Sequence, residues 1–279
     1  MSEFKMSGAK FSERDLDFVV QEAAPEARDK AKLKRLIRED DDFRKGLIGD
    51  ERVFRKVMAD EEALVKISPA LYFEILLRKA LRELEKASHT VERAGSQAVP
   101  VFDAREVVAL LSKQPVFDYL VDMLTSFTRI ESYTIPVRVR KGVWRKIRFN
   151  DMDIDSLTRF CETVDEEHRF SFYKRIADVC LFILGVFPEH AHFDYRYPLS
   201  GEARPHIPSR VRRGIEEYEE EGKKFYKLAA EHQSARELDL SEVFWLLHGN
   251  FNAARKPMSF ISEHYLHYQK QRLFGWGAS

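Results

Sequence analysis

Residues 166–187 read EEHRFSFYKRIADVCLFILGVF, and this stretch decides the fold class. Its apolar residues return every three or four positions, which is the period of one face of an α-helix. The residues in register are Phe170, Tyr173, Ala177, Cys180, Leu184 and Phe187. We therefore predict a helix from about Glu166 to Phe187. The apolar run inside it, residues 176–187, is interrupted by Asp178 and is shorter than the ~18 residues of a membrane span, so we expect no membrane association.

The same period predicts helices upstream of this stretch. Ser68 and Pro69 are typical of an N-cap followed by a first helical residue. The apolar residues after them advance by three or four positions along one face: Phe73, Leu77, Ala80, Leu84 and Ala87. The first 65 residues predict several shorter helices.

Three more helices are predicted in the C-terminal part of the chain. The first begins at Ser209 and carries an apolar seam at steps of four and three: Val211, Ile215, Tyr218, Gly222, Phe225 and Ala229. Gly222 lies in this seam, where the missing side chain would let a partner helix approach closely. Asp239 and Glu242 resemble a capping box that opens the second helix. Pro257 is expected to break that helix, and the third follows it.

One segment departs from the helical pattern. From Tyr133 to Phe149 the apolar residues alternate with period two, which is typical of a β-strand. A three-residue turn at residues 140–142, with Gly142 in a left-handed conformation, gives a consistent antiparallel register. The paired positions would be Val139 with Val143, Val137 with Arg145, Ile135 with Ile147 and Tyr133 with Phe149. The predicted fold class is therefore mainly α, a multi-helix bundle with one inserted β-hairpin at about 133–149.

Two stretches are typical of linkers and suggest how the chain is divided. Residues 89–100 (HTVERAGSQAVP) are polar and end in proline, and residues 193–208 are rich in proline, glycine and aromatic side chains. We place a soft boundary near residue 200. Residues 1–195 would form an N-terminal helical region with the β-hairpin. Residues 205–279 would form a C-terminal helical array, either as a second domain or packed with the first as one.

The composition limits the binding partners and the cellular compartment that can be expected for this chain. Lys and Arg together number 46, and so do Asp and Glu, so there is no chain-wide attraction to nucleic acid or to an anionic membrane. Cys161 and Cys180 are too few for a disulfide framework, and residues 1–15 lack the apolar core of a signal peptide. We therefore expect a cytoplasmic protein with reduced, buried thiols. Neither GxGxxG nor GxxxxGK[ST] is present, so no cofactor is predicted, and the absence of GxSxG weakens a hydrolase interpretation.

The predicted hairpin is the first candidate site, because it is strongly basic. Six cations and one tryptophan fall within eleven residues: Arg138, Arg140, Lys141, Trp144, Arg145, Lys146 and Arg148. Such a ribbon could bind a phosphate backbone and stack a base, or it could bind an acidic protein surface. A third interpretation is structural, because charged outer faces keep hairpins from aggregating edge to edge. The acidic residues that follow could also neutralise the ribbon within the fold: Asp151, Asp153 and Asp155.

Two further features are candidates for metal or acid–base chemistry. Histidines and a carboxylate after the 166–187 helix could combine with histidines of the last helix to hold a metal ion. These residues are Glu189, His190, His192, His264 and His267. Chance pairing among nine histidines is the alternative. Asp178, a carboxylate inside an apolar run, would be a general base or metal ligand, or would be bonded to an Arg or Tyr of a neighbouring helix.

The packing signals are stronger than the catalytic ones, and enzyme activity is therefore not predicted. The leading hypothesis is a non-catalytic helical adaptor or scaffold that binds another macromolecule, with a protein as the predicted partner. Binding would use an aromatic-rich helical surface that contains Trp245, Tyr265, Tyr268 and Trp276. The first alternative is a nucleic-acid-associated protein that uses the basic β-hairpin, and the second is a metal-dependent enzyme that uses the His/Glu cluster. The sequence does not indicate an oligomeric state.

Overall fold

The computed structural model describes residues 11–60, 62–94, 97–129, 132–140, 143–191, 213–266 and 269–274. This part of the chain is mainly helical, and it contains the β-hairpin predicted at about 133–149. The predicted fold class is therefore confirmed. No helix in these ranges is long and apolar enough to cross a membrane.

The chain forms two compact units. They comprise Met1–Thr125 with Lys256–His267 (unit 1) and Ser126–Arg255 with Tyr268–Ser279 (unit 2). The C-terminal segment is thus shared between the units, which the sequence did not predict. The boundary predicted near residue 200 falls within 192–212, outside the described residues, so the division into 1–195 and 205–279 stays a prediction.

Unit 1 is built around one long buried helix. Its elements are α1 (Glu13–Ala23), α2 (Lys30–Glu39), α3 (Asp41–Ile48), α4 (Glu51–Ala59), α5 (Ala63–Lys66), α6 (Pro69–Leu84), β1 (Thr90–Ala94), β2 (Gln97–Val101), α7 (Ala104–Leu111) and α8 (Gln114–Ser126, whose last residue belongs to unit 2). As predicted, Ser68 caps α6, since its hydroxyl accepts a hydrogen bond from the Leu71 N–H (3.2 Å), and Pro69 is the first helical residue. The apolar face of α6 is buried.

Unit 2 is built around the helix that the 166–187 stretch predicts. Its elements are β3 (Ser132–Arg140), β4 (Val143–Asn150), α9 (Ile154–Thr163), a 3-10 turn (Glu166–His168), α10 (Phe170–Val186), α11 (Pro188–Ala191), α12 (Ile215–Glu231), α13 (Gln233–Glu237), α14 (Ser241–Gly249), α15 (Phe251–His264) and α16 (Lys270–Phe274). α15 begins in unit 2 and continues into unit 1. Every residue from Ile176 to Phe187 is buried, and α10 packs against α12, which packs against α14.

Three helix boundaries differ from the prediction. The described α12 starts after Gly214, whose backbone is extended, rather than at Ser209. Asp239 does not cap α14, because its backbone is left-handed (φ 56°) and no side chain caps that helix. Pro257 lies inside α15, and the break falls at Asn250 instead. The helix continues through the proline because the apolar residues after it are buried in unit 1, and this packing offsets one missing backbone hydrogen bond.

β3 and β4 form the predicted antiparallel hairpin. Three of the predicted pairs are observed: Tyr133 with Phe149, Ile135 with Ile147 and Val137 with Arg145. The tip differs, because Arg140, rather than Val139, pairs with Val143 and the register shifts there. One extra residue in β3 accounts for this shift, as in a β-bulge, so the predicted three-residue turn is wrong. The conformation of Gly142 lies outside the described residues.

β1 and β2 form a second antiparallel hairpin, which was not predicted. The register runs from Thr90 opposite Val101 to Ala94 opposite Gln97. The interpretation of residues 89–100 as a polar linker is therefore wrong. A hairpin with one face toward solvent tolerates many polar residues, so polarity alone did not distinguish the strands from a loop.

Candidate functional site

The residues predicted to bind a macromolecule lie on or beside the β3–β4 hairpin. The register pairs Arg138 with Trp144, Arg140 with Val143, Lys146 with Pro136 and Arg148 with Thr134. Lys141 and the side chains of both strands lie outside the described residues. A role for this ribbon in binding nucleic acid or an acidic protein therefore stays a prediction.

The predicted metal ligands fall mostly outside the described part of the chain. Those not described are the side chains of Glu189 and His190, on α11, and the whole of His192 and His267. His264 ends α15, where its ring stacks on Phe260 and its Nδ1 lies 2.9 Å from the Phe260 carbonyl oxygen. In the described ranges, no group of three or more His, Cys, Asp or Glu residues is arranged to hold a metal ion. The metal site stays a prediction.

Asp178 is fully buried in unit 2 and contacts a tyrosine and a lysine. The Tyr226 hydroxyl, on α12, donates to Oδ1 (2.9 Å), and the Lys174 ammonium, one turn away on α10, donates to Oδ2 (2.7 Å). A lone buried carboxylate would cost several kcal/mol, and the ammonium offsets that cost. The hydrogen bond from a tyrosine of a neighbouring helix matches the structural interpretation of Asp178, which joins α10 to α12.

Two of the four aromatic residues predicted to form an interface are described, and they belong to different units. Trp245, on α14 in unit 2, is partly exposed and lies edge to face with His248 (5.7 Å between ring centroids). Tyr265, in unit 1, packs edge to face on Phe54 (5.0 Å). The other two, Tyr268 and Trp276, lie outside the described residues. A shared aromatic surface therefore stays a prediction.

The described residues expose five large hydrophobic side chains, and three of them lie on or next to the β1–β2 hairpin. Val91, on β1, is 49% exposed, and Val99, on β2, is 43% exposed. Phe102, directly after β2, is 80% exposed. Val99 pairs with Glu92 and therefore lies on the face opposite Val91. Single exposed apolar residues are normal, whereas a contiguous apolar patch marks an interaction site, so only Val91 and Phe102 of these three can belong to one patch. This region was not predicted from the sequence to be a site.

The ladder register places four exposed residues on one face of this hairpin. Val91 pairs with Pro100, and His89 and Phe102 lie two positions further along the same face. The centroids of the His89 and Phe102 rings lie 5.9 Å apart, which agrees with that placement. The four residues are all exposed, and we call them the hairpin face: His89, Val91, Pro100 and Phe102.

The opposite face of the hairpin is fixed to unit 1 by polar contacts. Lys256, on α15, is buried, and its Nζ lies 3.1 Å from Thr90 Oγ1 and 3.0 Å from Glu92 Oε1. Lys256 also forms an ion pair with Asp103, which accepts a hydrogen bond from the Thr90 hydroxyl (2.5 Å). Thr90 and Glu92 alternate with Val91 along β1, so these bonds keep the hairpin face directed away from the anchored side.

A groove of about 680 Å³ adjoins Phe102 in unit 1. Its apolar lining comes from Leu84 and Ala87, at the end of α6 and in the loop after it, and from Val108 and Ala109 on α7. Phe102 is itself a lining residue, so the most exposed aromatic ring of the hairpin face borders the groove.

The remaining lining residues are Ser88 and three charged side chains. Glu85, Lys86 and Arg105 are all exposed, and none of them forms an ion pair with another residue in the described ranges. By contrast, two cations within α6 are paired: Arg78 binds Glu74, and Lys79 lies 2.9 Å from Glu51. The groove therefore combines an apolar lining with two cations and one carboxylate that have no such partner.

One sequence signal could have located the hairpin face. Gly95-Ser96 stands between two short stretches that contain valine and threonine, and a two-residue Gly-Ser connection is typical of a β-hairpin. The groove has no comparable signal, because Leu84 and Val108 are distant in sequence and meet only in the fold.

No family model, curated protein or solved structure matches this chain. The proposal for its function therefore depends on the geometry of the hairpin face and the groove.

Proposed function

We propose that this protein is a non-catalytic adaptor that binds a segment of another protein on the hairpin face and in the adjoining groove. The observation that carries the proposal is Phe102, a large aromatic side chain that is 80% exposed beside an apolar groove. Aromatic residues beside a pocket are the usual anchors of protein interfaces.

The energy available from Phe102 is substantial. Full burial of an apolar side chain of this size contributes about 1.5–3 kcal/mol relative to leaving it exposed. A change of about 1.4 kcal/mol alters a dissociation constant tenfold. Because Phe102 is mostly exposed in the free chain, most of this contribution is available to a partner.

The polar contacts on the opposite side of the hairpin hold the hairpin face in place before a partner binds. The contacts of Lys256 with Thr90, Glu92 and Asp103 fix both β1 and the residue that follows Phe102. A surface held in place before association loses less conformational entropy when the partner binds. This rigidity favours a binding surface over a mobile loop.

Photo-crosslinking tests the proposal. A photoreactive amino acid is placed at position 102 and, in a matched control, at Val65, which is 63% exposed in the same unit but lies outside the hairpin face. Expressed in the native host, the position-102 protein should form a discrete crosslinked product that the position-65 protein does not. Mass spectrometry then identifies the crosslinked protein. Identical products from the two positions would contradict a binding role for the hairpin face.

A further inference from the structure

The two cations of the groove indicate what kind of protein segment binds there. Lys86 and Arg105 line the groove with Phe102, and neither has a carboxylate partner among the described residues. The cations within α6 have partners: Arg78 and Lys79 form ion pairs, and Arg82, one turn before Lys86, donates a hydrogen bond to the Gly49 carbonyl oxygen. Lys86 and Arg105 are thus left available beside an apolar lining.

We infer that the occupant of the groove is a protein segment in which an apolar anchor is flanked by Asp or Glu. The inference rests on the proposed function and names the class of its partner. The apolar part would pack on Phe102, Val108 and Ala109, and the acidic side chains would pair with Lys86 and Arg105. Guanidinium–carboxylate bonds are charge-assisted and directional, so they would set the orientation of the segment, whereas the apolar contacts supply most of the affinity.

The composition of the lining favours an acidic protein segment over nucleic acid. Binding to a nucleic acid is dominated by cations that neutralise successive phosphates, and this groove offers two cations with one carboxylate, Glu85, beside them. Its apolar lining would leave a phosphate backbone with few partners. An apolar anchor with nearby carboxylates matches both the apolar and the charged part of the lining.

A random peptide library displayed on phage, with the purified 279-residue chain as bait, tests the inference. Selected peptides are synthesised with a fluorescent label, and their affinities are measured for wild type, F102S, K86E/R105E and a control, K32E/K113E. The control reverses two exposed cations of unit 1 that lie outside the groove, so it changes the net charge equally. The selected peptides should be enriched in an apolar residue near Asp or Glu. The K86E/R105E substitutions should weaken the binding of these peptides by about tenfold or more, and K32E/K113E should have little effect on it.

The other outcomes separate the inference from the proposed function. The inference would be overturned by peptides that lack acidic residues, bind F102S more weakly than wild type, and bind K86E/R105E with the same affinity as K32E/K113E. That result would leave the proposed function standing. Peptides that bind F102S and wild type with equal affinity would contradict both the inference and the proposed function. If light scattering shows a wild-type dimer that F102S dissociates, the occupant is a second copy of this chain, which would contradict both the inference and the proposed binding of another protein.

Discussion

Lys256 donates a hydrogen bond to Thr90 across 166 positions of the chain, with 3.1 Å between Nζ and Oγ1. This contact attaches the β1–β2 hairpin to the C-terminal part of unit 1. A two-stranded hairpin by itself is marginally stable in water, so the orientation of the hairpin face depends on this anchor and on the neighbouring carboxylates of Glu92 and Asp103.

Replacing Lys256 with methionine should loosen the hairpin. The substitution keeps an apolar stem of similar length but removes the ammonium. Asp103 and Thr90 then lose a hydrogen-bonding partner, which should lower the stability of this contact region by about 1–3 kcal/mol. Hydrogen exchange of the amides of residues 90–101 should become faster. Lys113→Met, at an exposed lysine of the same unit, is the control. Unchanged protection of the hairpin in Lys256→Met would show that Lys256 does not anchor it.

Replacing Gly222 with alanine should destabilise unit 2. A β-carbon at position 222 would lie 2.6 Å from Cζ of Phe251 and 3.0 Å from Cβ of Cys180, which confirms the close approach that the sequence predicts at this glycine. Overpacking of this kind typically costs about 1–3 kcal/mol. Denaturant unfolding measures the loss.

Gly46→Ala is the matched control for that substitution. Gly46 lies in α3, and a β-carbon there would meet no atom within 4 Å. Alanine in place of a helical glycine should therefore stabilise the chain by about 0.5–1 kcal/mol. Equal effects of the two substitutions would contradict the packing of Phe251 on Gly222.

The two thiols should react slowly in the native protein. Cys161 and Cys180 are both buried. Burial raises the pKa of the Cys161 thiol, and the nearby Arg169 only partly opposes the shift. Because the thiolate is the reactive form, labelling of Cys161 should be slow at neutral pH and should accelerate as the pH rises toward the raised pKa.

Single Cys→Ser variants assign the labelling to each thiol. Both cysteines should react rapidly once denaturant exposes them, which serves as the positive control. Fast labelling of either cysteine in native buffer at neutral pH would contradict its burial and would make a reactive cysteine a candidate for chemistry.

Local patterns predicted much of the fold. α10 follows from the apolar period of residues 166–187, and three β3–β4 pairs follow from alternation, because both signals come from side chains close together in sequence. The errors occur where a local signal competes with packing. Pro257 stays helical because the residues after it are buried, and Asp239 adopts a left-handed backbone instead of a cap.

The candidate site was less accessible to prediction. The hairpin face depends on a register between two short strands, and its orientation depends on Lys256, which no pattern near residue 90 indicates. The groove joins Leu84 to Val108 through tertiary packing. The basic β3–β4 ribbon was conspicuous in sequence because its six cations fall within eleven residues, whereas the hairpin face combines residues of two strands that come together only in the fold.

The affinity of the crosslinked partner for Phe102 variants tests the central claim most directly. The protein identified by crosslinking at position 102 is purified and titrated calorimetrically against wild type, F102S and V65S. Loss of the Phe102 ring should weaken binding by about tenfold or more, since burying it contributes about 1.5–3 kcal/mol, and V65S should bind as wild type does. Equal dissociation constants for F102S, V65S and wild type would contradict the proposal that the hairpin face is the binding surface.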